Sequence, residues 1–562
     1  MKPLNKNIRQ VIIVVVGLIV LNIVAAYIYK RFDLTQDQRY TLSEAAKESI
    51  ASVNSPLEID IYLQGNFPAE FKRLQAETRQ LLEEFSAYNG NLQFNFISPD
   101  SESGISGEIG KNIQQYNLVP AQVEVRENGR VSSELVYPWA LAYYNGKTER
   151  ISLLKNQLGT TPEERVNNSI QNLEYAFADA FKKLVSEKRK KVAVLKGNGE
   201  LEDRYVADYF KTLKDYYFIA PFTLDSAEVA PQKTLEQLSA FDLVVVASPT
   251  EAFSDSEKYI LDQYTMRGKS SLWLIDNLQF QQDTTTGKMF AFGRDLQLGD
   301  LFFKYGLRIN FDLVKDLYSA PIVLASGNEQ DSQYSRYPWF YFPLSASANN
   351  HPIVTNIEGV KFEYASSIDV LENDINKTIL LSTSPITQLV GLPHEINYDL
   401  TIPENLEIIN SGPNPNQFKD GEKPLAVLLE GKFTSAFKNR VKPFKLKNSL
   451  DESGKAKMVV ISDGDIIKNQ FDKNRPLETG FDKMTQTMYG NKDFSLNTAN
   501  YLLDDSGLIN IRTKKVAIPF LDPQKIQEQR TKWQVVNILL PLVLLGIFGV
   551  IFQYLRKRRY TR

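Results

Sequence analysis

Two long apolar runs, one near each end of the chain, constrain this sequence more than any other feature. Residues 11–29 contain no charged side chain, and residues 535–553 contain none either. A helix rises about 1.5 Å per residue, so a run of this length crosses the roughly 30 Å hydrocarbon core of a bilayer. We therefore predict one transmembrane helix at each terminus, with a large folded part between them.

The charges that flank the two runs predict their orientation. Residues 554–562 carry five basic side chains and no acidic one, and residues 1–10 carry three basic side chains. Basic flanks stay on the cytoplasmic side. The sequence thus predicts an inner membrane protein with two spans, both termini in the cytoplasm and a periplasmic large domain. A cleaved signal peptide is the alternative for the first run, but that run is longer than a usual signal core and no clear cleavage site follows it.

The first part of the intervening chain, residues 32–187, predicts a thioredoxin-like α/β domain. Two strands bracket an amphipathic helix, and two more strands follow as a predicted hairpin. Thr161-Pro162-Glu163-Glu164 then predicts a further helix, as a capping box with proline at its first position. No redox function follows, because the chain has no cysteine. The strands are predicted at 57–63, 92–97, 122–126 and 140–144.

The rest of the intervening chain predicts a doubly wound, mostly parallel α/β domain. Continuous apolar runs separated by helical segments are typical of strands that are buried on both faces. We expect this domain over residues 190–310 and 451–520, with a mixed α/β subdomain over residues 311–450. The apolar runs lie at 192–195, 243–248, 272–275, 378–381 and 458–462.

Composition and motifs remove several classes of function. The absence of cysteine excludes thiolate nucleophiles and thiolate metal sites, and only two histidines, His351 and His394, are present. A net charge of −2 offers no overall attraction to nucleic acid. The triplets Gly146-Lys147-Thr148 and Gly268-Lys269-Ser270 both lack the first glycine of a P-loop. We therefore predict no enzymatic activity, no bound cofactor or metal, and no nucleic acid partner.

Acidic side chains follow several predicted strands. An open α/β sheet binds ligands at the carboxyl ends of its strands, so these residues are the candidates for a ligand crevice. The alternative is that the neighbouring glycines form tight turns and the acids cap the helices that follow, and we favour this second interpretation. The candidates are Glu200, Asp276, Asp463 and Asp465.

An aromatic cluster over residues 334–342 has two interpretations. It could form a surface that binds glycan or a partner protein. The alternative, which we favour, is a packed loop. In the two apolar runs, polar Asn22 and Asn537 predict contacts between transmembrane helices.

Six segments of the chain together resemble the gliding-motility-associated ABC transporter auxiliary proteins (GldG) of the Bacteroidetes. The resemblance covers almost the whole chain, and it implies a substrate-binding-like subunit that works with a separate permease and a separate cytoplasmic ATPase. It implies no enzymatic activity, so ATP would be used only by the partner. Relatives often carry histidine where Asn198 stands and a double glycine near Arg267-Gly268-Lys269. The segments are 39–74, 173–184, 241–269, 296–310, 459–470 and 493–505.

Three hypotheses follow from the sequence. The leading one is a non-catalytic auxiliary subunit of an ABC transporter, whose external domains serve for docking or mechanical coupling. The second is an extracytoplasmic amidotransferase-like or hydrolase-like enzyme that uses the acidic crevice, which requires a deep pocket and a carboxylate with a raised pKa. The third is a tethered solute- or glycan-binding protein.

Overall fold

The computed structural model describes residues 13–22, 41–65, 67–99, 108–127, 130–155, 160–185, 187–283, 285–286, 288–326, 333–346, 349–504, 506–514 and 523–560. The chain divides into two compact units, Met1–Lys514 and Lys515–Arg562. Within the predicted first span, Ile13–Asn22 is an apolar helix (α1). The remaining residues of that span, 11–12 and 23–29, lie outside the described residues.

Residues 41–185 form a four-stranded sheet with helices against it. The strand order is β2-β1-β5-β6, with β1 and β2 parallel and the other pairs antiparallel. The predicted β-α-β unit and the predicted helix are confirmed, and Thr161 and Glu164 exchange the hydrogen bonds of a capping box at the helix start. The elements are α2 (Glu44–Ala51), β1 (Leu57–Ile61), α3 (Ala69–Tyr88), β2 (Leu92–Phe96), α4 (Glu108–Gln115), β3 (Ala121–Glu127), β4 (Arg130–Val136), β5 (Trp139–Tyr144), β6 (Lys147–Ser152) and α5 (Pro162–Val185).

The two strands predicted to form a hairpin in this part do not pair with each other. The strand expected at 122–126 pairs with β4 in a separate two-stranded ribbon, and the strand expected at 140–144 pairs with β6. Both true partners, β4 and β6, are polar strands with the sequences RVSSELV and KTERIS. They were missed because they lack the apolar alternation on which the strand predictions relied.

The chain continues through further strands and helices from residue 191 to residue 503. They are β7 (Lys191–Lys196), α6 (Ala207–Tyr216), β8 (Phe218–Thr223), α7 (Pro231–Ser239), β9 (Leu243–Ala247), α8 (Asp255–Met266), β10 (Ser270–Leu274), β11 (Leu278–Gln282), β12 (Met289–Gly293), α9 (Gly299–Tyr305), β13 (Leu307–Ile309), β14 (Asp312–Asp316), β15 (Ser319–Ser326), β16 (Gln333–Ser345), β17 (Val360–Lys361), β18 (Ile368–Val370), β19 (Asn376–Ser382), β20 (Thr387–Gly391), β21 (His394–Ile396), α10 (Tyr398–Ser411), β22 (Pro424–Thr434), β23 (Glu452–Ile461), β24 (Phe471–Asp472), β25 (Arg475–Pro476), β26 (Phe481–Asp482), β27 (Thr487–Met488) and α11 (Asn491–Leu503).

Seven of these strands form the main sheet, in the order β19-β22-β23-β10-β9-β7-β8. The five strands from β8 to β23 are parallel to one another. At one edge, β22 pairs antiparallel with β23, and β19 pairs antiparallel with β22. All five apolar runs predicted as strands lie in this sheet. The sheet is mixed rather than wholly parallel, because β22 returns directly beside β23.

The main sheet is buried on both faces, as its continuous apolar strands predicted. Along β9, Val244 and Val246 belong to one apolar core, and Leu243 and Val245 belong to the core on the opposite face. Helices α7 and α8 contribute to the first core, and α6 and α11 contribute to the second. Such alternation follows from the two-residue period of a strand.

The second unit contains α12 (Pro523–Tyr560), which includes the whole of the predicted second span. In the part of the chain that the structure describes, one helix is long and apolar enough to cross a membrane, Glu528–Arg558. The fold class is therefore mixed α/β, with one candidate membrane helix at the C-terminal end. The first of the two predicted spans, at the N-terminal end, stays a prediction.

The two ends of the segment 41–514, which we call the folded unit, meet at one buried carboxylate. Glu174 of α5 is 7% exposed, and it accepts hydrogen bonds from Ser43 N at 2.7 Å and from Lys514 Nζ at 2.7 Å. Lys514 Nζ also donates to the carbonyl of Thr41 at 2.7 Å. Thr41 begins the described part of the folded unit and Lys514 ends it, so the chain enters and leaves this unit at the same place. We call these four residues the entry clamp.

We expect replacement of Glu174 by Ala to loosen the entry clamp. The partly exposed ammonium of Lys514 would lose its carboxylate, and a lost hydrogen bond to a charged group costs on the order of 2 kcal/mol. Limited digestion of the full-length protein with trypsin should then cleave after Lys514 at a lower protease concentration than in the wild type. Glu163→Ala, at an exposed position of the same helix, is the matched control. Equal cleavage in both variants would show that the clamp does not hold the ends.

Candidate ligand pocket at the carboxyl edge of the main sheet

The main sheet has a topological switch point between β7 and β9. From the β8 edge, the five parallel strands run in chain order 2-1-3-4-5, so the order reverses between these two strands. Open α/β sheets bind ligands in the crevice outside such a point. The loops that follow β7 and β9 are therefore the first place to look for a site.

Hydrogen bonds join the loops after β7 and β9 at that point. The amides of Thr250 and Glu251 both donate to the carbonyl of Asn198 at 2.9 Å. Gly199 has a φ of +72°, and a Cβ there would collide with the hydroxyl of Thr250. Glu200 turns its carboxylate back onto the amide of Asn198 at 2.9 Å, and burial raises the pKa of Glu200. Glu200 therefore bonds to its own loop.

The other three candidate acids come together at the ends of β10 and β23. Asp276 accepts from Gly464 N and from the hydroxyl of Ser248, both at 2.7 Å. Asp463 accepts from Asp465 N at 2.7 Å, and so caps a short 3-10 turn over residues 464–467. A Cβ on Gly464 would collide with the side chains of Asp276 and Ser248. Asp463 thus caps the turn that follows it, whereas Asp276 is followed by β11 and bonds to Gly464 and Ser248 instead.

Asp463 also joins this cluster to a distant segment. Its second oxygen accepts from Glu363 N at 2.6 Å, and the side chain is 1% exposed. Burial raises the pKa of Asp463 well above its usual range, and the nearby charges of Asp276 and Asp465 raise it further. Burial, with the charge of Asp276, raises the pKa of Asp465 to about 6.

Asp465 lines a cavity of about 390 Å³. The cavity lies between the 3-10 turn, the ribbon of β24 and β25, and the segment that follows β17. Its charged lining residues are Lys361, Glu363, Asp465, Lys468 and Asp482, and we call this cavity with its lining the edge pocket.

Ion pairs organise the charges of the edge pocket. Lys361 is 8% exposed, and its Nζ lies 2.8 Å from Glu363 and 3.1 Å from Asp482. Burial alone would lower the pKa of Lys361, but the two carboxylates raise it. Lys468 Nζ lies 2.9 Å from Asp465. Glu363 and Asp465 each keep a partly exposed side chain, 35% and 27% respectively, at the open end.

Sequence reasoning missed four residues of this edge. Ser248 has a φ of 51°, a conformation that non-glycine residues seldom adopt and that clusters at functional sites. Lys361 and Glu363 come from an irregular segment more than ninety residues away from Asp463 in sequence, and no local pattern marks them. Lys468 had a weak signal, because it follows Asp465 at a spacing of three.

The remaining sequence candidates have separate outcomes. The aromatic cluster lies on β16, where Trp339, Phe340 and Tyr341 are at most 2% exposed. The expected loop is thus a strand, although its packing is confirmed.

Asn22 donates to the carbonyl of Leu18 in its own helix at 3.1 Å, and Asn537 is exposed on α12. Their contact with other helices stays a prediction. Over the described residues, no group of three or more His, Cys, Asp or Glu is placed to hold a metal ion.

Comparisons with known proteins match most of the chain. Residues 189–498 match the family described as "ABC-type uncharacterized transport system", and residues 36–143 match a domain of unknown function (DUF7088). An uncharacterized protein of Borreliella burgdorferi (strain ATCC 35210 / DSM 4680 / CIP 102532 / B31) is 22% identical over 542 residues, which is 94% of each chain. Among solved structures, the mmIFT52 N-terminal domain superposes with a TM-score of 0.33 and 14% identity, covering 56% of this chain and 99% of that domain.

We expect Asp465→Asn to change how stability depends on pH. The pKa of Asp465 in the folded protein, about 6, is above the value of about 3.9 for an unfolded aspartate. Its contribution to stability is therefore complete below about pH 4 and lost as the pH rises through about 6. The unfolding temperature of the variant, relative to the wild type, should rise over that interval.

The measurement is thermal unfolding of the full-length protein in detergent at pH values across the interval. Asp472→Asn is the control, because Asp472 is exposed on the neighbouring ribbon and pairs with Lys483. A difference between variant and wild type that stays constant with pH would contradict the assignment.

Proposed function

This chain belongs to the ABC-type uncharacterized transport system family, and we propose that it is a non-catalytic, membrane-anchored auxiliary subunit of an ABC transporter. Family membership rests on a match that spans more than half of the chain. The proposal adds that the large folded unit serves for docking or mechanical coupling. ATP would then be bound and hydrolysed only by a partner, since the sequence has no P-loop.

The partners we propose are a separate ABC permease and a separate cytoplasmic ATPase. A chain that carries no nucleotide site can take part in an ATP-driven process only through contact with the subunits that use ATP. The process we propose is gliding motility, which rests on the resemblance of six segments to the GldG proteins of the Bacteroidetes.

The entry clamp is the observation that best supports a role in coupling. Both connections from the folded unit toward the apolar runs start beside Glu174, at Thr41 on one side and at Lys514 on the other. A displacement of either connection therefore reaches the folded unit beside Glu174.

The location we propose is the inner membrane, with a span at 11–29, a span at 535–553 and the folded unit in the periplasm. The basic residues before the first run and after the second run support this orientation. The length and composition of the Glu528–Arg558 helix support the second span.

One observation favours a second candidate, an extracytoplasmic hydrolase-like or amidotransferase-like enzyme. Asp465 combines a raised pKa with a place on the edge pocket, as a general acid would. Asp463, however, is buried and holds two backbone amides, and Glu200 lies in a different loop. Normal motility of a strain with Asp463→Asn and Asp465→Asn, in a protein that still folds, would eliminate this candidate.

Cysteine labelling should establish the orientation without ambiguity, because the natural chain has no cysteine. We expect Ser226→Cys, at an exposed position of the folded unit, to react with a membrane-impermeant maleimide that has entered the periplasm. Thr561→Cys should react only after the inner membrane is permeabilised. The reverse pattern would refute a periplasmic folded unit, and labelling of both sites from the periplasmic side would refute the cytoplasmic C-terminus.

Affinity purification from mild detergent tests the auxiliary role. The tagged full-length protein should recover a polytopic permease and a P-loop ATPase. Replacing Asn22 and Asn537 by Leu should lower this recovery, since a polar contact between membrane helices contributes about 1 kcal/mol. Gln553→Leu, at the end of the second run, is the control. Recovery of the chain alone, or with enzymes of envelope polymers, would overturn the proposal.

A further inference from the structure

The edge pocket has the size of a ligand-binding site, which the auxiliary role does not require. Its volume of about 390 Å³ lies within the range of small-molecule sites, roughly 300–1,000 Å³. It is built from the 3-10 turn after β23, the ribbon that follows, and the segment after β17. These pieces are fixed to one another by Asp463, which holds the amides of Asp465 and Glu363 at 2.7 Å and 2.6 Å. The pocket is therefore preformed.

The charges of the edge pocket favour a cation. Three carboxylates line it, from Glu363, Asp465 and Asp482, against two ammonium groups, from Lys361 and Lys468, so the lining carries one net negative charge. Burial, followed by the charges of Asp276 and Glu363, keeps the pKa of Asp465 high even beside Lys468. A bound cation would relieve the repulsion between these carboxylates.

The inner end of the edge pocket already shows how an ammonium group is held there. Lys361 Nζ pairs with Glu363 and Asp482, and it lies 4.8 Å from the ring centre of Phe342 and 5.7 Å from that of Tyr489. Carboxylates and aromatic faces are the two kinds of group that stabilise an organic cation. The contacts of Lys361 therefore show which groups stabilise a cation at this end of the pocket.

The outer end combines partly exposed carboxylates with aromatic rings in the same way, and Lys468 and Arg204 lie beside them. Glu363 and Asp465 present partly exposed carboxylates, and Tyr205 and Phe471 form an aromatic wall with ring centres 5.7 Å apart. Arg204 stacks on both rings and lies within 3.5 Å of Glu202, outside the lining. Its positive charge is therefore partly compensated before it reaches the pocket.

We propose that the edge pocket binds the ammonium group of a small primary amine, with Glu363 and Asp465 as its ion-pair partners and Tyr205 and Phe471 as its aromatic wall. The apolar remainder of the ligand lies along Phe481, which also lines the cavity. This inference concerns a site within the folded unit and does not depend on the partners of the chain.

Calorimetric titration of the full-length protein in detergent with n-pentylamine tests the proposal. We expect saturable one-to-one binding with a Kd below about 1 mM. The matched probes n-pentanol and pentanoate have the same chain length without the positive charge, and they should not bind in this range. Absence of saturation with n-pentylamine, or equal binding of either matched probe, would overturn the proposal.

Variants locate the binding. Asp465→Asn and Glu363→Gln should each weaken n-pentylamine binding by about tenfold or more, whereas Asp472→Asn, on the neighbouring ribbon, should not change it. If a charge variant unfolds, Phe471→Leu keeps the test decisive, because it removes an aromatic face without changing a charge and should also weaken binding. Unchanged affinity in the folded variants would place any binding elsewhere and refute the site.

Discussion

The parallel pairing of β7, β9, β10 and β23 is the constraint on which the rest of the first unit depends. These strands are buried on both faces, so their backbone groups can be satisfied only by one another. The pairing register fixes where each strand ends, and all four ends fall on the same edge. Every polar residue that follows a strand is thereby brought to that edge, whatever its distance in sequence.

Buried polar groups along that edge are satisfied in two different ways. At the switch point, backbone hydrogen bonds join the loops after β7 and β9 beside Glu200. In the turn after β23, Asp463 accepts hydrogen bonds from two backbone amides, and Asp465 faces the edge pocket. Burying charge is costly unless it is paired, and Lys361 is paired twice.

Much of the architecture of the first unit could be predicted from the sequence. The five apolar runs were recognised because a strand that is buried on both faces leaves no polar alternation, and the capping box at Thr161 was recognised from its spacing. Strands β4 and β6 were missed because they are polar. Strand β8 was missed because its sequence, FIAPFT, contains a proline, which argues against a strand inside a sheet. Strand β22 was missed although residues 425–429 form an apolar run like the five that were recognised. For the site, Asp463 and Asp465 were found from their place after a strand. Glu363 and Lys361 could not be found, because they reach the pocket through tertiary contacts that no local pattern records. Glu200 follows a strand in the same way, yet its loop closes on itself.

The entry clamp gives the first unit the geometry of a closed loop. A force that pulls the two connections apart, at Thr41 and at Lys514, acts first on the hydrogen bonds that join Glu174, Ser43, Lys514 and Thr41. The clamp thus takes up the load before the strands of the main sheet do.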